Sequence, residues 1–215
     1  LVGKLMKNYF DSVFVVGNIG NPYTEAAKEM VDETVTVAEI SSFQLETIEE
    51  FHPKVSAILN ITPDHLNRHH TMECYIETKE KIAMNQTKDD VCVLNYDDEV
   101  TRKFGENCNA SVLYFSRLHK LEKGVYLDGD TFIYSDGISK TPICKTTELK
   151  VLGGHNHENV MSAIAMAVSM QVPMDIIRKT VKEFAGVAHR IEFVCEKNGV
   201  AYYNDSKGTN PDAAI

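Results

Sequence analysis

Apolar positions in the first hundred residues follow two alternating rhythms. Short runs rich in Val and Ile occur at 13–16, 35–40, 55–61 and 91–95, with the length and composition of buried strands. Between them apolar residues recur every three or four positions. Tyr23, Ala26, Ala27, Met30 and Val31 form one such set, and Tyr75, Ile76, Ile82 and Ala83 form another over about 73–85. That spacing puts each set on one helical face. Strand and helix in alternation predict a mostly parallel sheet with helices on both faces. From 111 to 152 the pattern changes to short β runs joined by turns such as Asp128-Gly129-Asp130, which predicts an antiparallel extension. Residues 157–170 are apolar almost all round, as in a deeply buried helix. Ile177, Val181 and Phe184 stripe a second helix over about 174–184, and Gly186 ends it. Two further strand-like runs, 191–195 and 200–203, flank Asn198-Gly199. The fold class is α/β, with a domain boundary expected at Gly186: residues 1–186 form one domain and 187–215 open another.

Composition narrows the class. The chain has 215 residues, a formal net charge of -9 and an ordinary share of apolar side chains. The acidic balance argues against a general nucleic-acid binder. Five cysteines are scattered with no Cys-x-x-Cys pair, so neither a disulfide framework nor a thiolate zinc site is expected. Cys92, inside Val91-Cys92-Val93-Leu94, is expected to be a buried, inert thiol. The longest nearly apolar stretch, 160–170, is too short for the ~20 residues of a membrane span. A reducing cytoplasm and a protein that neither enters a membrane nor binds nucleic acid fit these features; a monomer is expected. The abrupt start at 1–10, which reads as the later part of an amphipathic helix, and the helix-like opening at 210–215 point to a piece of a longer protein.

Chemistry gathers where two strand-like runs stop. One passes into Glu39-Ile40-Ser41-Ser42-Phe43-Gln44 and the other into Asn60-Ile61-Thr62-Pro63-Asp64-His65. Open parallel sheets bind ligands at the carboxyl ends of their strands, so one site built from two adjacent strands is expected. Glu39 and His65 there suit either a shared Mg²⁺ or Mn²⁺ or a hydrogen-bonded polar rim. His65 and His69 stand four apart, but no general-base glutamate lies between them and no third soft ligand is spaced nearby. His69 and His70 are therefore expected to be loop or surface residues. Lys79 falls on the apolar face of its helix, between Tyr75 and Ala83. It is either a buried stem with a snorkelling ammonium or a desolvated amine of depressed pKa, able to meet phosphate or form a carbamate with CO₂. Gly153-Gly154-His155-Asn156 before the buried helix is either a place of close ligand approach or a plain cap by Asn156.

These segments together resemble the Mur ligase family, ATP-dependent amide ligases of peptidoglycan precursor synthesis. The resemblance rests on GNIGNP at 17–22, EISSFQLE at 39–46, NITPDHLNRH at 60–69, YIETK at 75–79, GGHNHEN at 153–159, HRIE at 189–192 and NDSKGTN at 204–210. SSFQLE is similar to the branch that adds D-glutamate to UDP-N-acetylmuramoyl-L-alanine. The resemblance implies a P-loop-NTPase-like central domain followed by the start of a Rossmann-like C-terminal domain. It implies ATP and Mg²⁺ (or Mn²⁺), with Glu39, His65 and a carbamylated Lys79 as metal ligands and catalytic residues. Asn18, Ser41 and Gln44 would contact the UDP-linked substrate, and Asn159, Arg190, Asp205, Lys207 and Thr209 the nucleotide. The family's phosphate loop, Gly-x-x-Gly-Lys-[Ser/Thr], does not occur in these residues; it is expected ahead of Leu1, and the isolated chain is expected not to ligate. A non-catalytic nucleotide-binding module and a sister ligase such as a folate polyglutamylating enzyme are the competing expectations.

Overall fold

The computed structural model describes residues 1–206. After helix α1 (Val2–Lys7), strand β1 (Val13–Gly17) pairs in parallel with β2 (Val35–Glu39). Their connection holds a short helix α2 (Tyr23–Ala26) and a 3₁₀ turn (Ala27–Glu29). The expected helix is cut short because its apolar set has little to cover: Ala26 is buried, but Tyr23 and Val31 are exposed.

A second sheet contains β3 (Val55–Ile58), β4 (Val91–Asn95), β5 (Ser111–Ser116), β6 (Lys123–Asp128), β7 (Thr131–Asp136) and β8 (Lys140–Lys145), neighbours in chain order. The pairs from β3 to β6 are parallel, so β5 belongs to the parallel part and corrects the expected antiparallel start at 111; the antiparallel extension is β6–β7–β8. β2 and β3 belong to separate sheets and are not hydrogen-bonded to each other. This corrects the expectation of adjacent strands. A hydrophobic run specifies that a strand is buried, and leaves its partner open.

Both faces of the larger sheet are covered. In β4, Val93 joins one core cluster while Cys92 and Leu94 join the other, the two-sided burial of a parallel strand. On the first face lie α1, α7 (Gly154–Ser169) and α8 (Met174–Glu183), contributing Leu5, Met6, Met161, Ile164, Ile177 and Val181. Asn8 Nδ2 donates to the buried Thr180 Oγ1 at 2.8 Å, tying the end of α1 to α8. On the second face lie α5 (Met72–Glu80), a 3₁₀ turn (Lys81–Ala83) and α6 (Glu99–Asn107), with Tyr75, Ala83 and Cys108 in the core. Cys92 is fully buried, and contact with Cys108 and burial push its thiol well up. Two short helices, α3 (Ser42–Leu45) and α4 (Leu66–His69), follow β2 and β3. A hairpin of β9 (Glu192–Lys197) and β10 (Val200–Asn204) turns at Asn198-Gly199, both with positive φ, the geometry a two-residue hairpin loop favours.

Candidate active site

Glu39 is the last residue of β2, and the chain leaving β1 crosses its end. Asn18 N donates to the Glu39 carbonyl at 2.8 Å, and Asn18 Nδ2 reaches Glu39 Oε1 at 3.4 Å. The crossing is close: a side chain at Gly17, which has φ +99, would meet the Glu39 carbonyl oxygen. Only glycine fits such a position. The Glu39 carboxylate is exposed and, among the described residues, pairs with no cation.

Ser41 and Gln44 are engaged with each other in a capping box that starts α3. Ser41 N donates to Gln44 Oε1 at 2.8 Å and Gln44 N donates to Ser41 Oγ at 3.3 Å. Both side chains are thereby fixed in direction. Gln44 Nε2 donates to no atom of the described residues and remains open to a ligand.

His65 stands just ahead of α4 in the left-handed region, φ 53 and ψ 27. Its backbone N–H donates to Asp64 Oδ1 at 2.8 Å, and its Nε2 lies 3.5 Å from Asp64 Oδ2. Phe43, four residues after Glu39, packs on the His65 ring with centroids 5.0 Å apart. The two strand ends therefore meet through α3 and α4. His70 is exposed as expected, but His69 is buried, which corrects its assignment to the surface. Its ring fits between Phe43 and Tyr75, and Ser42 Oγ satisfies its Nε2 at 3.0 Å. A polar residue at the end of a four-residue helix carries no periodicity to announce such burial.

Lys79 lies on the inward face of α5 as the spacing predicts. Its ammonium sits over the Tyr75 ring, 5.1 Å from the centroid. Burial lowers its pKa, and the negative charge of Asp64 opposes that shift. Among the described residues it has no hydrogen bond or ion pair. This is the environment of a desolvated amine, with the charged form disfavoured.

The donor set bears on which metal these residues suit. Among the described residues no three His, Cys, Asp or Glu side chains converge as a metal site. Glu39 and His65 offer one uncompensated carboxylate and one imidazole. Donors of these kinds suit Mg²⁺ or Mn²⁺, which complete their coordination with water and phosphate oxygens, and do not make a closed zinc site.

A second polar group forms where α7 begins. α7 starts at Gly154, earlier than expected, after Gly153 with φ +93. Asn156 is no cap: its Nδ2 donates back to the Leu152 carbonyl at 2.7 Å. With Arg190, Gly186, Phe193 and Tyr203 it lines a cavity of about 180 Å³. Ligand pockets usually begin near ~300 Å³, so this cavity is smaller than a whole nucleotide needs. Asp205 Oδ1 accepts the Ile191 N–H at 3.1 Å, beside Arg190. The Asp205 carboxylate is thus held by the backbone next to Arg190. Asn159 is half-buried farther along α7 and does not line the cavity. Lys207 and Thr209 lie outside the described residues. Asn156, passed over as a possible cap, is the cavity residue that sequence reasoning missed; its place in GGHNHEN was the available signal.

Residues 2–167 match the family model described as the Mur ligase middle domain. Over its whole length the chain is 58 % identical to the UDP-N-acetylmuramoylalanine--D-glutamate ligase of Lachnoclostridium phytofermentans and 51 % identical to that of Clostridioides difficile, covering 47 % and 48 % of those proteins. The chain spans about half the length of the curated relatives it matches. Among solved structures, MurF from Acinetobacter baumannii superimposes with a TM-score of 0.75 at 18 % identity, covering 99 % of this chain and 48 % of that one. MurF from Thermotoga maritima, solved in complex with ADP, gives 0.70 at 20 % identity over 99 % and 51 %. At such identities the likeness is one of fold.

Proposed function

Because this chain belongs to the Mur ligase family, we propose that the full-length protein containing it is an ATP-dependent ligase joining D-glutamate to UDP-N-acetylmuramoyl-L-alanine, a cytoplasmic step of peptidoglycan precursor synthesis. The observation that carries the proposal is the rim itself: an uncompensated Glu39, His65 set against Phe43, and a partly desolvated Lys79 over Tyr75. The names of relatives at 58 % and 51 % identity supply the substrates.

In the reaction the L-alanyl carboxylate attacks the γ-phosphorus of ATP, giving an acyl phosphate and ADP. The D-glutamate amine then attacks the acyl carbon, and inorganic phosphate leaves from the tetrahedral intermediate. Two anions must approach each other, so charge compensation and alignment dominate the barrier. Glu39 and His65 would hold Mg²⁺ or Mn²⁺, which screens that repulsion when bound. Lys79, once carbamylated, would add a third donor, an oxygen beside that of Glu39; burial lowers its pKa, which favours the neutral amine that CO₂ requires. Gln44 Nε2 and Asn18, both fixed by local hydrogen bonds, would orient the UDP-linked substrate, with Ser41 as their neighbour. Arg190 and Asp205, with Asn156 and Asn159, would receive ATP; Lys207 and Thr209 complete the assigned set. The domain boundary is placed at Gly186, and the protein is taken as a monomer that binds no nucleic acid. No helix of the described residues is long and apolar enough to cross a membrane.

The test supplies the purified full-length protein with ATP, UDP-N-acetylmuramoyl-L-alanine and one amino acid at a time. Product with D-glutamate alone is expected. Product with a different amino acid in its place overturns the substrate assignment, and no nucleotide turnover with any of them overturns the ligase. Residues 1–215 alone are expected to form no product.

A further inference from the structure

His69 is the buried histidine of the described residues, only 5 % exposed, and the residues it touches belong to both halves of the rim. A buried imidazole is costly unless its polar atoms are satisfied. Here Nε2 meets Ser42 Oγ at 3.0 Å, and Nδ1 lies 3.8 Å from Glu46 Oε1. Arg68, its neighbour in α4, holds that same Glu46 through Nε and Nη2 at 3.2 and 2.7 Å. Lys81 Nζ donates to the Glu46 carbonyl at 3.1 Å. Thus α3, α4 and the end of α5 are bound to one another around His69.

The rings continue the connection. Phe43 is held between two imidazoles, 5.0 Å from His65 and 5.7 Å from His69, stacked on the latter within 15°. His69 in turn lies 5.1 Å from Tyr75, whose ring carries the Lys79 ammonium at 5.1 Å. The series His65–Phe43–His69–Tyr75–Lys79 is unbroken, and His69 is its central member. The His65 side chain is about half exposed and has Phe43 and Asp64 as its contacts among the described residues. Phe43 therefore constrains its ring angle alongside Asp64, and Phe43 in turn stacks on His69. We infer that His69 is a positioning residue that sets the placement of His65 relative to Lys79 without itself touching metal or substrate. The inference rests on the metal role proposed for His65.

The test uses the full-length protein and Mn²⁺ titrated by electron paramagnetic resonance with ADP present, alongside steady-state kinetics and thermal melts. His69→Ala is expected to weaken Mn²⁺ binding by about tenfold, the low end for a group that orients a metal ligand from behind. It should lower kcat while leaving the KM for D-glutamate unchanged. His69→Phe, which keeps the ring series, is expected to bind Mn²⁺ more nearly as wild type does than His69→Gln, which keeps a donor for Ser42 but no ring. The order of these two variants decides the matter even where His69→Ala does not fold. Wild-type Mn²⁺ affinity in folded His69→Ala, or the reverse order of Phe and Gln, overturns the inference while a loss in His65→Ala keeps the metal role intact. Unchanged affinity in His65→Ala itself overturns the metal role, and the inference falls with it.

Discussion

The start of the main sheet and the rim around Glu39 handle polar groups in opposite ways. At the end where β4 begins, Asp90 is almost fully buried and fully engaged. His52 Nε2 meets its Oδ2 at 2.6 Å, Thr87 N donates to Oδ2 at 2.8 Å, and Lys54 Nζ reaches Oδ1 at 3.2 Å. Beside it, the buried Gln86 accepts from Ser56 Oγ at 2.7 Å and donates to the carbonyls of Pro53 and Val91. At the rim, among the described residues, Glu39 has one long bond from Asn18, and Lys79 and Gln44 Nε2 have none. The first arrangement is saturated and holds chain segments together. The second leaves charge and donors unspent where a ligand would use them.

The sharpest way to break this comparison is to remove the open groups. In the full-length protein, Lys79→Ala and Glu39→Ala should each lower ligation by about 10²–10³-fold, the scale of losing one preorganised charge-stabilising group. Phosphate release measures this, and the thermal midpoint should stay near wild type. A parallel fall in midpoint would mean that the rim is structural after all.

Gly17→Ala should blur the two regions. It forces a side chain onto a left-handed residue against the Glu39 carbonyl. A cost of about 1–3 kcal/mol, read by urea unfolding, should come together with lost activity because Glu39 moves.

Asp90→Asn should do the reverse of the rim variants. It should cost about 1–3 kcal/mol and leave activity per folded molecule unchanged. The His52 hydrogen bond first, and the Thr87 N–H next, hold the Asp90 carboxyl well below its ordinary 3.8. A depressed carboxyl stabilises the fold above its unfolded pKa and loses that contribution as pH falls through the folded one. The gap in thermal midpoint between wild type and Asp90→Asn should therefore be full at neutral pH and shrink below about pH 4. A constant gap down to pH 2 would remove the ionised carboxylate from the account.

The smallest effect is expected from Ser41→Ala. Loss of one half of the capping box costs about 1 kcal/mol, and a freed Gln44 should raise the KM for the UDP-linked substrate. An unchanged KM would confine Ser41 to capping.

Much of this was legible in the residues. The two-sided burial of β4 follows from its unbroken apolar run, the β9–β10 hairpin from Asn198-Gly199, and the inward face of Lys79 from its distance to Tyr75 and Ala83. The family resemblance named the rim residues, and the structure brings His65 and Lys79 around the α3–α4–α5 junction. Other features were not legible. Nothing in the spacing of residues 65–70 separates the buried His69 from the exposed His70. The mutual capping of Ser41 and Gln44 needs the turn between them to be built first. Asn156 could be assigned to a cavity only once Arg190 and Tyr203 stood opposite it.

By itself the chain determined that its Val- and Ile-rich runs become strands and where the β9–β10 hairpin turns, because composition and turn chemistry are local properties of the backbone. Tertiary structure decided which polar groups are used up. Asp90 is sealed by a histidine 38 residues away, and His69 is drawn inward by a serine 27 residues away. Among the described residues Glu39 finds only Asn18. A polar side chain's role depends on whether folding brings it a partner, and that depends on packing between elements distant in the chain.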